Sequence, residues 1–331
     1  MSDIELTVLA RRHGRVGLLT LNRPRALNAL TLEMVGLIAD ALESWREDPA
    51  VHAVVLTAAG ERAFCAGGDI REIRRQALAA DYDGIEQFFI DEYALNRIIA
   101  RYPKPYVSLV SGICMGGGIG LSVHGTFRVA TEAAVFAMPE TAIGLFPDVG
   151  ATHFLPRLRG DWGLYMGLSG ARVIGQDAVW VGLATHFVPK DRLEALLDAL
   201  SRDGVGVLAE FAQPPAATEA PDVAAFALPS VAAILARLGA TPGAWAESTL
   251  LAMRQASPSA LMWTFEILRR GAGLTLEQCQ GEELSLTGHV VRHPDFSEGV
   301  RAMVVDKDRR PVWSPGTVEE IDPAVIEAMF S

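Results

Sequence analysis

The chain of 331 residues is half hydrophobic, carries a formal net charge of −11 and contains three cysteines. Its acidity, with a sequence pI near 5.2, repels a polyphosphate backbone, whose binding rests on Lys and Arg, and so argues against a nucleic-acid partner. No apolar run reaches the roughly 18 residues of a membrane span, and Cys65, Cys114 and Cys279 are odd in number and lack metal-ligand spacing, which excludes a disulfide framework and a zinc site.

The N-terminus, "MSDIELTVLARRHGRVGLLTLNRP", enters a strand-like pattern without the charged-then-apolar order of a signal segment, so a cytoplasmic, reducing location is expected. Residues 16–21 ("VGLLTL"), 53–57 ("AVVLT") and 107–110 ("VSLV") are short runs rich in Val and Leu, bounded by Gly, Pro, Asn or Ser, and predict buried strands. Between the first two, Met34, Leu37, Ile38, Ala41, Leu42 and Trp45 recur at helical spacing, with Thr31 as the cap and Pro49 as the stop. Strands alternating with helices predict a layered α/β core. A second helix is predicted over 84–101, with Ile85, Phe88, Phe89, Asn96 and Ile99 near one stripe and the carboxylate of Glu92 inside it.

Residues 64–70 ("FCAGGDI") and 112–125 ("GICMGGGIGLSVHG") are glycine-dense turns, each after an apolar strand, and the second opens a helix near Gly118. Glycine lets a ligand approach the backbone closely, and it equally serves to pack two segments tightly. If the turns face each other, they present a pair of amides to one oxygen, the arrangement of an oxyanion hole. Neither turn ends in the Gly-Lys-Ser/Thr of a phosphate loop or has the dinucleotide fingerprint, and no Gly-x-Ser-x-Gly elbow occurs. No nucleotide cofactor, metal or serine nucleophile is therefore expected. His124 and His153 lie near these segments, as lone histidines of the kind that are mostly structural.

Residues 136–150 ("FAMPETAIGLFPDVG") place Glu140 and Asp148 in otherwise apolar sequence, where a carboxylate is costly unless paired or kept for chemistry. Residues 212–222 ("AQPPAATEAPD") have linker composition. They divide a catalytic core, 1–211, from a helical C-terminal subdomain, 223–331, in which "PSVAAILARLG", "PSALMWTFEILRR" and "TLEQCQGEELSLTGHVV" read as helices.

In this order and at these separations, "LNRPRALNALT", "FCAGGDI", "MGGGIGLSVHG" and "MPETAIGLFPDVGA" resemble the crotonase (enoyl-CoA hydratase/isomerase) superfamily of acyl-CoA enzymes. "GLSVHGTFRVATE", the "PETAIGLFPDVG" block and "DFSEGVRAMVVDKDRRPVW" are similar to its 3-hydroxyisobutyryl-CoA hydrolase branch, and extend the likeness over almost the whole chain. The resemblance implies a crotonase spiral of ββα units with an α-helical C-terminal subdomain. It implies thioester hydrolysis in valine breakdown, with the backbone N–H groups of Gly68 and Gly117 holding the thioester oxygen. Coenzyme A enters as part of the substrate, and relatives often form homo-oligomers.

Hydratases of the superfamily carry glutamates at the positions matching Gly120 and Glu140, so here the first of the pair is missing. Asp148 stands where hydratases typically have glycine and the hydrolase branch has aspartate. The resemblance therefore assigns Glu140 to attack the thioester or activate water, Asp148 to orient the substrate hydroxyl or the water, and Glu92 to line the acyl pocket. Covalent and general-base routes both fit. For the coenzyme phosphates, Arg25, Arg71 and Lys307, with Arg309 and Arg310, are candidates by charge. A hydratase or isomerase using Glu140 alone, and a non-catalytic acyl-CoA or RNA binder, are the competing expectations.

Overall fold

The computed structural model describes residues 6–214 and 221–330; residues 215–220, the greater part of the expected linker, lie outside the described residues. The apolar run at 16–21 is the strand Val16–Leu21, paired antiparallel with Val8–His13 in the register Val8↔Leu21 through His13↔Val16. Gly14, at φ +58°, turns this hairpin. Ala53–Ala58, Tyr106–Val110, Phe127–Ala130 and His186–Phe187 then add in parallel, giving a six-stranded sheet. The connection between the first two parallel strands is the helix Leu32–Arg46, whose Thr31 cap accepts the Met34 N–H at 3.2 Å, as its sequence requires.

Alternation along these strands sorts their side chains. Val16, Leu18, Val55, Val107, Leu109 and Val129 form one apolar cluster with Leu196, Ala199 and Leu200 of the helix Leu193–Asp203. Gly17 points the other way, where a Cβ would overlap the Trp45 ring at the end of the Leu32–Arg46 helix. A second, four-stranded sheet is built from Ala63–Cys65, Ile113–Met115, Val135–Ala137 and Val173–Ile174.

The chain divides into two compact units. The first comprises Met1–Gly68, Asp91–Phe136 and Val173–Thr218, and the second Asp69–Ile90, Ala137–Arg172 and Glu219–Ser331. Segments 69–90 and 137–172, which the sequence puts with the N-terminal core, thus group with the C-terminal helices. Close contacts within the second unit explain this. Arg74 Nε donates to the Ser297 carbonyl at 2.8 Å, and Gly299 lies against Ile143, where any side chain would overlap its backbone. The expected C-terminal helices are Val231–Ala240, Pro258–Gly271 and Leu276–Val290. The middle one, capped by Ser257, packs on Ala151–Phe154, on Trp162–Ser169 and on Leu276–Val290. Among the described residues no helix is long and apolar enough to cross a membrane.

Candidate active site

In the first unit the two glycine turns leave the C-terminal ends of neighbouring parallel strands, Ala63–Cys65 and Ile113–Met115, with Cys65 and Cys114 as register partners. The Leu30 N–H donates to the Gly67 carbonyl at 2.8 Å, and Leu30 bridges Gly68 in parallel. This bridge takes the carbonyl before Gly68 and leaves the Gly68 N–H out of the ladder. Gly116, at φ 46° and ψ −122°, caps the helix Gly117–Val123, whose first backbone bonds are donated by Ile119 and Gly120. The Gly117 amide therefore has no intrahelical acceptor. A Cβ at Gly67 would stand 3.7 Å from Gly117 N and 3.8 Å from Gly116 Cα, so the two turns lie side by side.

Gly117 also lies against a neighbouring side chain. A side chain there would overlap Glu92 Oε1 and stand 3.0 Å from Leu30 Cδ1. Glu92, on the helix Tyr82–Ala100, is 2% exposed and thus reaches the second glycine turn with its carboxylate. The loop before Leu30 is fixed by Asn28, which is fully buried at φ 55°. Its side chain accepts the Arg23 N–H at 2.8 Å and donates to the Ala59 and Ala63 carbonyls, each at 3.0 Å. Asn tolerates the left-handed region better than most residues, which suits it to this turn.

In the second unit Glu140 opens the short 3-10 turn Glu140–Ile143, closed by Gly144 at φ 68°. Gly144 must lack a side chain because the Asp295 carbonyl occupies that space. Thr141 ties the turn down through its hydroxyl to the Leu168 carbonyl at 3.3 Å and through its own carbonyl to the Ser257 N–H at 3.1 Å. Glu140 and Asp148 are each 6% exposed. The Asp148 carbonyl accepts the Ala151 N–H at 2.8 Å across two successive left-handed residues, Val149 at φ 54° and Gly150 at φ 81°. A β-branched residue in this region is strained, by the order of 1–3 kcal/mol.

One buried carboxylate compensates that turn. Glu283 accepts the Gly150 N–H at 2.7 Å on one oxygen, and the Thr152 N–H at 3.0 Å and Thr152 hydroxyl at 2.5 Å on the other. Burial pushes its carboxyl up to about 8, with the Thr152 hydroxyl pulling it down and the Asp148 charge pushing it further up. Sequence reasoning did not single out Glu283. Its signal was present: it falls on the buried stripe of Cys279, Leu286 and Val290, as Glu92 falls on its own.

Arg25 is exposed in the turn Pro24–Ala26. Arg71 spends a guanidinium N–H on the Val304 carbonyl at 2.7 Å, and Lys307 is exposed at φ 60°. His124 caps the C-terminal end of the Gly117–Val123 helix. His153 is held below the usual imidazole range by burial, then by Arg157.

A family model described as enoyl-CoA hydratase/isomerase matches residues 16–330. The chain belongs to the enoyl-CoA hydratase/isomerase family. The mitochondrial 3-hydroxyisobutyryl-CoA hydrolases of Danio rerio and Homo sapiens are 42% and 40% identical to it, over 98% and 97% of this chain and 89% and 87% of their own length. Among solved structures, a carnitinyl-CoA dehydratase from Mycobacterium thermoresistibile matches at 42% identity with a TM-score of 0.94, covering 99% of this chain and 97% of its own. An enoyl-CoA hydratase from Rhodobacter sphaeroides matches at 41% identity with a TM-score of 0.90, covering 98% and 97%. The fold of this family member is thus the crotonase fold expected from its motifs. The relatives' names place them in mitochondria, so they lend nothing to the expected cytoplasmic location.

Proposed function

We propose that this chain hydrolyses an acyl-CoA thioester, with 3-hydroxyisobutyryl-CoA as substrate and 3-hydroxyisobutyrate and coenzyme A as products. The observation that carries the reading is the likeness to 3-hydroxyisobutyryl-CoA hydrolases along nearly the full length of both chains. Gly120 supports it. It is buried in the Gly117–Val123 helix and carries no acid where the superfamily's hydratases have one of two glutamates.

In this reading the Gly68 and Gly117 amides hold the thioester oxygen and stabilise the charge that develops on it. Either water adds to the carbonyl carbon directly, or Glu140 adds first and water then opens the anhydride; on both routes the C–S bond breaks and the leaving thiolate takes up a proton. Glu140 attacks that carbon or deprotonates the water, Asp148 orients the water or the substrate hydroxyl, and Glu92 contacts the acyl group. Arg25, Arg71 and Lys307 are carried as candidate contacts to the coenzyme phosphates. Assembly as a homo-oligomer belongs to the same reading, and a sizing measurement decides it.

A second reading, hydration of an enoyl-CoA, is favoured by the descriptions of the two structural neighbours as a dehydratase and a hydratase. One experiment separates the two. Free thiol appearing from 3-hydroxyisobutyryl-CoA supports hydrolysis, whereas loss of the crotonyl-CoA enone absorbance with no thiol release removes it in favour of hydration.

A further inference from the structure

The turn that carries Asp148 is gripped by two helices of the second unit. The Thr152 carbonyl sits against Gly271 of Pro258–Gly271, where no side chain fits. From Leu276–Val290, Glu283 reaches both amides that flank Ala151, and the Thr152 hydroxyl as well. Glu283 is fully buried, and its hydrogen bonds among the described residues come from neutral donors rather than from a cation. An ionised carboxylate is the one side chain that offers two acceptor-only oxygens in a plane, and its neutral acid keeps a carbonyl oxygen and a hydroxyl that both donates and accepts. Glutamine offers one, so either the Gly150 N–H or the Thr152 pair would face an NH2 group.

From this geometry we infer that Glu283 is a positioning residue: by holding Gly150 and Thr152 it fixes the Val149–Gly150 turn, and with it the direction in which Asp148 points. The inference rests on the proposed role of Asp148 in thioester hydrolysis. Glu283 itself touches no reacting atom in this account. It differs from a structural clamp in that its removal must be felt through Asp148.

The test compares Glu283→Gln, Asp148→Asn and the double variant in the full chain, by thiol release from 3-hydroxyisobutyryl-CoA and by amide hydrogen exchange. Glu283→Gln is expected to lower kcat about tenfold or more, as small displacements of a catalytic group do, with KM within about twofold. Exchange at Gly150 and Thr152 should accelerate. In the Asp148→Asn background the same change should cost less than about twofold, because the two residues act as one unit. Losses that multiply in the double variant, an unchanged kcat in Glu283→Gln, or unchanged exchange at the two amides each overturn the inference.

Where Glu283→Gln does not fold, Thr152→Val takes its place. It removes one of the three donors and should lower kcat by a smaller factor, again without an additional effect on Asp148→Asn. A wild-type chain that releases no thiol defeats the hydrolase reading, and enone hydration then supplies the turnover against which the same variants are scored.

Discussion

The Gly150 amide donates to Glu283 across 133 positions of sequence, at 2.7 Å, from a turn that a valine enters with positive φ. A carboxyl group buried this completely, and raised to about 8 mainly by that burial, ties the stability of the second unit to proton concentration. Its affinity for the proton is higher folded than unfolded. The stabilisation is therefore fully present below the unfolded pKa of about 4.3 and is lost as pH rises through about 8. Denaturant midpoints are expected to fall between pH 5 and 9 on the order of a few tenths molar in guanidinium. Glu283→Gln should flatten that slope, and an equal slope in both proteins would show that another group sets it.

Neighbouring glycines in the second turn should behave differently. Alanine at Gly117 meets the far end of the Glu92 side chain, which can swing away, whereas alanine at Gly118 meets the Cys65 backbone carbonyl, which cannot. Gly118→Ala is expected to cost about 1–3 kcal/mol of stability through overpacking. Gly117→Ala should stay close to wild type in stability and lose turnover, since it displaces Glu92 and crowds the proposed oxyanion donor. Thermal melts and thiol release, measured on both variants, check the contrast.

Glu140→Gln keeps the shape of the 3-10 turn and removes the carboxylate. Thiol release should fall roughly a hundred- to ten-thousandfold while product-side coenzyme A binding, measured by calorimetry, is retained. Single turnover in ¹⁸O-water then reads the route in the wild-type chain. Label in the Glu140 side chain marks a covalent anhydride opened at the glutamyl carbon, whereas label in the released acid alone is the outcome shared by a general base and by an anhydride opened at the acyl carbon.

Much of the frame is legible in the sequence. The run at 16–21 is the strand Val16–Leu21, read from its continuous Val and Leu content between turn residues, and the 84–101 periodicity is the helix Tyr82–Ala100, long enough for its period to show. The second sheet was not legible, since strands such as Ala63–Cys65 and Val173–Ile174 contain too few residues to display alternation. The glycine turns were readable as close approaches, and the structure adds what each approaches. Glu283 escaped because its partners lie more than a hundred residues away, and a single acid on an apolar stripe does not announce them.

Asn28 offers a test of the first unit. Two of its three hydrogen bonds tie the loop before Leu30 to Ala59 and Ala63, on either side of the turn at 60–62, the third closes that loop on the Arg23 N–H, and the site is fully buried. Asn28→Ala leaves those backbone groups without partners and puts alanine at positive φ. A loss of roughly 2–4 kcal/mol is expected from unsatisfied buried groups and the left-handed backbone together. A melting temperature within about one degree of wild type would remove this role.

The cysteine pair on adjacent strands has a practical meaning. Burial pushes the Cys65 thiol up to about 12, carries Cys114 well above its usual range and raises Cys279 too. In its native form the protein presents a dye such as an aromatic disulfide with nothing to react with. Colour developing in a turnover assay then counts liberated coenzyme alone, and the same reagent added without substrate becomes a clock for global unfolding.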